Sequence, residues 1–84
     1  MHYKKKTVGM YLYNDADGKT LPVALKWDDG SIYKIDKIIS INNKPPENVG
    51  GIVTKQYNVK IAGKFKKIYY EKYKNIWFLE IRVD

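Results

Sequence analysis

The sequence predicts an all-β fold, a small six-stranded antiparallel barrel or strongly bent sheet with no significant helix. Three observations carry that expectation. Apolar residues recur with a period of two along most of the 84-residue chain, the signature of half-buried strands. Clusters of Asp, Asn, Gly and Pro break that alternation at short intervals, as tight turns do. No stretch of useful length repeats every 3.6 residues. A short meander has two free edges, and curling into a barrel removes them. The expected size is that of SH3-like and OB-like barrels, as a single domain over residues 1–84.

Each strand can be placed in turn. Residues 3–13 put Val8, Met10 and Leu12 on one face and Tyr11 and Tyr13 on the other. "NDADGK" is a turn cluster. Residues 20–27 align Leu21, Val23, Leu25 and Trp27. "WDDGS" fits a three-residue loop, Asp28-Asp29-Gly30, with Gly30 left-handed. That loop sets Leu25 opposite Tyr33 and Val23 opposite Ile35, so apolar faces apolar. Residues 31–42 align Tyr33, Ile35, Ile39 and Ile41, with Ile38 on the other parity and a bulge or bend expected near Lys37. "NNKPPENVGG" is the one long irregular loop, since its prolines and glycines break a ladder. Residues 52–61 resume alternation with Val53, Tyr57, Val59 and Ile61, and residues 65–71 and 76–83 complete the set. A two-residue turn at Gly63-Lys64 pairs Val59 with Ile68 and Tyr57 with Tyr70, and on the opposite face Lys60 with Lys67 and Asn58 with Tyr69. A four-residue loop from Lys72 to Asn75 sets Glu71 opposite Ile76, Tyr70 opposite Trp77 and Ile68 opposite Leu79, all assigned to the inner face with Ile81 and Val83. The outer face then carries Tyr69 opposite Phe78 and Lys67 opposite Glu80.

That outer surface is the main candidate for function. Tyr69 and Phe78 read as two exposed rings bordered by Lys60, Lys67 and Asn58. Exposed rings beside lysines form a stacking platform for single-stranded nucleic acid. The same pair also serves as ordinary cross-strand stabilisation or as a contact patch for another protein. Tyr11 and Tyr13, outward on the first strand near Lys4 and Lys6, form a second candidate with the same alternatives. A net charge of +7 invites a polyanionic partner. Against this, Arg82 is the only arginine among sixteen basic residues, and arginine is the better residue for bidentate phosphate and base contacts. Coding bias in an AT-rich genome explains a lysine excess equally well.

Several chemistries are not offered. Without cysteine there is no disulfide, thiolate metal site or thiol nucleophile. The single histidine, His2, sits near a chain end, where a Ser-His-Asp relay lacks the rigidity it needs. Asp15, Asp17, Asp28 and Asp29 lie beside glycines in turns, and "DADG" lacks the late glutamate and flanking helices of a calcium loop. Gly50-Gly51 and "AGK" at 62–64 lack the context of a phosphate loop. The expectation is a non-enzymatic protein without metal or cofactor. No apolar run approaches the ~20 residues of a membrane helix, and no apolar segment follows the basic "HYKKK" start. A cytoplasmic binding module is expected, with nucleic acid as partner, or alternatively another protein through a sheet face or a strand edge.

"WDDGSIYKIDKI", the glycine pair, "YNVKIAGK", "IYYE" and "WFLE" together resemble a family of small uncharacterised proteins of Gram-positive bacteria. The resemblance runs from about Trp27 to Glu80 and implies an all-β fold with no established activity. It marks Trp27, Gly30, Tyr33, Ile35 and Asp36, then Tyr57 and Gly63, then Glu71 and Trp77 as family positions. Of these, Asp36 and Glu71 lack a packing reason and are the functional suspects. The lysine-rich "EKYKN" after Tyr70 departs from the family pattern.

Overall fold

The computed structural model describes residues 2–83. Seven antiparallel strands form one curled sheet: β1 His2–Asn14, β2 Thr20–Lys26, β3 Ile32–Lys34, β4 Lys37–Lys44, β5 Thr54–Ile61, β6 Lys64–Glu71 and β7 Ile76–Val83. Their order across the sheet is β3-β2-β1-β7-β6-β5-β4. The all-β, barrel-like expectation holds, with seven strands where six were expected. The extra one arises at the expected bend. Residues 31–42 do not run as one strand but break at Ile35-Asp36. Ile35 donates its N–H to Val23 O on β2 at 2.9 Å, and Asp36 donates to Lys60 O on β5 at 2.8 Å. The two edge strands, β3 and β4, are therefore consecutive in the chain and meet at this corner, which curls the sheet.

The Asp28-Asp29-Gly30 loop forms as expected. Trp27 N donates to Ser31 O at 2.8 Å, Gly30 is left-handed at φ 90°, and Leu25 faces Tyr33. The aspartates of the turns bind nearby backbone: Asp15 Oδ1 accepts from Asp17 N and Lys19 N, and Asp29 Oδ1 from Ser31 N.

The inner face buries Val8, Leu25, Ile35, Tyr57, Val59, Ile61, Ile68 and Trp77, with Met10, Trp27, Ile38, Tyr70 and Leu79 packed against them. Tyr57 and Tyr70 flank Trp77 with ring centroids 5.1 and 4.7 Å away. Some expected core positions are exposed. Val23 is the extra residue of a bulge between the Tyr11 and Leu12 pairings, so Pro22 is buried in its place and Val23 is exposed. A proline at a bulge costs no ladder hydrogen bond. Ile39 is likewise bulged out of the β4–β5 ladder. Tyr33 and Ile41, on the two edge strands, are also exposed, as is Val53 just before β5.

The β5–β6 turn uses Ala62-Gly63, at φ 50° and 77°, not Gly63-Lys64. The register moves by two residues, so Tyr57 faces Ile68, Lys60 faces Phe65 and Lys67 faces Asn58. The face of every side chain is kept. The expected register set Lys60 directly against Lys67, and like charges opposite each other destabilise a sheet. The observed one separates them.

The last hairpin pairs as expected from Glu71↔Ile76 to Tyr69↔Phe78. Alternation puts Glu71 on the Tyr69 side rather than the inner side. Beyond Tyr69↔Phe78 the two strands separate, and Ile68 does not pair with Leu79. A cleft of about 740 Å³ opens there.

Candidate nucleic-acid interface

The ring pair expected to be wet is buried. Tyr69 and Phe78 stack across the strands with centroids 5.3 Å apart and an interplanar angle of 20°, yet both are 0% exposed. The loop between β4 and β5 folds back over them, with Pro46 buried. Its backbone supplies the polar closure. Glu47 N donates to Tyr69 Oη at 3.4 Å, while Asn48 N and Val49 N donate to Glu80 Oε2 at 2.5 and 2.6 Å. Tyr69 Oη accepts from Gln56 Nε2 at 3.3 Å and donates to Glu80 Oε1 at 3.0 Å. A buried phenol needs such partners, and burial raises its pKa above the usual tyrosine value. Lys5 Nζ lies 4.7 Å from the centroid of the Phe78 ring. The stacking-platform reading of Tyr69 and Phe78 is therefore corrected: no base can reach either ring while the loop is down.

The neighbours of that pair are largely engaged. Lys67 Nζ donates to Glu47 Oε1 at 2.5 Å. This bond lowers the Glu47 pKa and raises that of Lys67. Asn58 Nδ2 donates to Ser40 Oγ at 2.8 Å. Lys60 lies over the exposed Phe65, 5.7 Å from the ring centroid. Of the two suspects from the family resemblance, Asp36 is exposed at the corner of the sheet. Glu71 is buried, with Oε1 4.0 Å from Lys5 Nζ and Oε2 without a hydrogen-bond partner among the described residues.

The second candidate is open. Tyr11 and Tyr13 are 45% and 57% exposed. Tyr11 pairs with Ala24, and Ala24 with Lys34, while Gly9 pairs with Lys26 and Lys26 with Ile32. Directly paired residues share a face, so the outer surface of β1–β3 presents Tyr11, Lys26, Lys34 and Ile32 around a low floor of Gly9 and Ala24. A side chain at Gly9 would meet Lys26 Cβ at 3.4 Å. Lys26 and Lys34 pair with no carboxylate among the described residues. Lys4 and Lys6 lie on the opposite parity, and Lys6 bonds Asp28. No acidic residue occurs anywhere in β1 to β5, because the aspartates there are spent on turns.

Lys26 and Lys34 were missed in the sequence. The loop register that set Leu25 against Tyr33 already implied Ala24 against Lys34. What was lacking was the β1–β2 pairing that brings Tyr11 alongside.

Compared with known proteins, the chain matches no family model, no curated protein and no solved structure. Among the described residues, no helix is long and apolar enough to cross a membrane.

Proposed function

We propose that this chain is a non-enzymatic binding module that contacts single-stranded nucleic acid through the outer surface of β1–β3. The observation that carries the reading is the row Tyr11–Ala24–Lys34 beside Gly9–Lys26. It combines exposed rings, lysines without acidic partners and a floor low enough for a base to lie flat. Tyrosines offer every base a stacking surface, and lysines answer the phosphates as point charges. Such a surface binds with little sequence preference.

The test is a titration of fluorescein-labelled oligo(dT) and of a duplex of equal length, at several salt concentrations. The expected affinity is on the order of 10⁻⁴–10⁻⁶ M at physiological salt, with a log–log salt slope near −0.7 per phosphate contact. Tyr11→Ala with Tyr13→Ala removes stacking of about 1–3 kcal/mol per base. Lys26→Glu with Lys34→Glu flattens the salt slope. Lys67→Glu with Tyr69→Ala alters the covered face. If that last pair abolishes binding in a folded protein and the β1–β2 variants do not, the proposed surface is wrong. Absence of binding to either oligonucleotide at low salt ends the nucleic-acid reading altogether.

A further inference from the structure

We infer that the cleft between β6 and β7 binds a small amphipathic anion, a free single-chain carboxylate with an apolar tail, from the inner side of the sheet. The inference is independent of the nucleic-acid surface, which lies on the outer side of β1–β3. From Lys64 to Ile68, β6 pairs with β5 and not with β7, and from Leu79 to Ile81, β7 pairs with β1 and not with β6. The β4–β5 loop bridges this gap on the outer side. Its Glu47 Oε1 accepts from Lys67 Nζ on β6, and its Asn48 N donates to Glu80 Oε2 on β7. The opening of about 740 Å³ is therefore crossed by the loop outside and entered from within the curl. Its size falls in the range of roughly 300–1,000 Å³ typical of small-molecule sites.

The walls state the chemistry of the occupant. Leu25, Trp27, Val59, Ile61, Leu79 and Ile81 line the inner part and form a bed for an apolar tail. The charged side chains lining the cleft are Glu47, Lys66, Lys67 and Glu80. Glu47 and Lys67 neutralise each other. Glu80 already accepts from Asn48 N, Val49 N and the Tyr69 hydroxyl. Lys66 is exposed and pairs with no carboxylate among the described residues. It faces Val59 across the ladder, so it stands on the inner face beside the apolar bed. That face repeats the same sign. Lys64 faces Ile61, while Lys4 and Lys6 on β1 face Ile81 and Leu79. Of these three only Lys6 has a carboxylate partner among the described residues, Asp28. The acidic residues of the described strands, Glu71 and Glu80, alternate onto the outer face with Tyr69 and Phe78. A ligand entering from within the curl thus meets lysine ammonium groups and apolar side chains, a combination that suits an anionic head on an apolar tail and repels a cationic one.

The probe is decanoate, kept below its micelle-forming concentration and titrated into isotope-labelled protein. Decanol and decyltrimethylammonium carry the same tail with a neutral or a cationic head. The expected result is saturable movement of the amide signals of Ile61, Lys66, Leu79 and Ile81 and of the Trp27 indole N–H signal. Decanol and decyltrimethylammonium should bind about tenfold more weakly. Lys66→Met, a change at an exposed site that keeps the apolar stem, should bring decanoate down to the level of decanol. Lys66→Glu should turn the preference towards decyltrimethylammonium. Tyr11→Ala with Tyr13→Ala should leave decanoate binding intact, even if it abolishes oligonucleotide binding. Equal binding of the three probes, unchanged decanoate affinity in Lys66→Met, or signal changes confined to other strands would overturn the inference. So would binding to phosphatidylglycerol vesicles without binding of free decanoate, because a membrane surface would then be the ligand. Cleft signals that move with protein concentration alone would also overturn it, since a second copy would then be the occupant.

Discussion

Ala62 is the residue most at odds with its own backbone. It sits at φ 50°, followed by Gly63 at φ 77°, the conformation in which Asn-Gly is preferred and alanine is strained by roughly 1–2 kcal/mol. Ala62→Asn should therefore stabilise the protein by about 1 kcal/mol, read as a higher urea midpoint with unchanged slope. Tyr69 makes the opposite case. Its hydroxyl joins Gln56, Glu80 and the Glu47 backbone, so Tyr69→Phe leaves buried polar groups short of a partner and should cost about 1–3 kcal/mol. Burial also raises the pKa of Tyr57 and Tyr69, with Tyr70 adding to the shift at Tyr57. An acid whose folded pKa is raised contributes stability below its unfolded pKa, here about 10. That contribution is lost as pH rises through the folded value. Absorbance titration at 295 nm, compared with Tyr57→Phe and Tyr69→Phe, should show these two phenols ionising above the usual tyrosine value, as the fold is lost.

The element with the most consequence is the β4–β5 loop. The sequence marked it as irregular but not as a cover, because alternation says only which face a residue takes. Whether a face is wet depends on what folds over it. The polar neighbours Gln56 and Glu80 held the missing clue, since together they can satisfy a buried phenol. The strands themselves were largely legible, apart from residues 31–42, which break into β3 and β4: Asp28-Asp29-Gly30 and Lys72–Asn75 each fixed a register that the structure contains. The β5–β6 turn was not, because Gly63 suits either of two turns and only the Lys60–Lys67 clash separates them. The loop also has a pH signature. The Lys67 hydrogen bond lowers the Glu47 pKa, so the pair supports the closed loop above the ordinary glutamate range. That support is lost as pH falls through the folded Glu47 value, below about 4.3. The amide signals of Asn48 and Val49 should move in that window, and Lys67→Met should remove the part owed to this pair. An unchanged transition in Lys67→Met would show that the Lys67–Glu47 pair does not hold the loop.

At the scale of the molecule, curvature depends on two residues. Ile35 bonds to β2 and Asp36 to β5, the strands next to the two edges of the sheet. Asp36→Pro removes the donor to Lys60 O and should cost about 1–3 kcal/mol, seen in urea unfolding, with the β4–β5 ladder losing amide protection before the rest. The bend near Lys37 was legible in the sequence. That it makes neighbours of the two sheet edges was not, since alternation carries no information about strand order. Strand order also governs how the protein must be made. The central partner of β1 and β6 is β7, the last of the described strands in chain order. Until residues 76–83 are in place, the Ile35–Asp36 corner is what links the two halves of the sheet. Folding is then expected to be slow for so small a chain, on the millisecond-to-second scale of non-local topologies. Until then the backbone groups of β1 and β6 that β7 will engage stand open as unpaired strand edges.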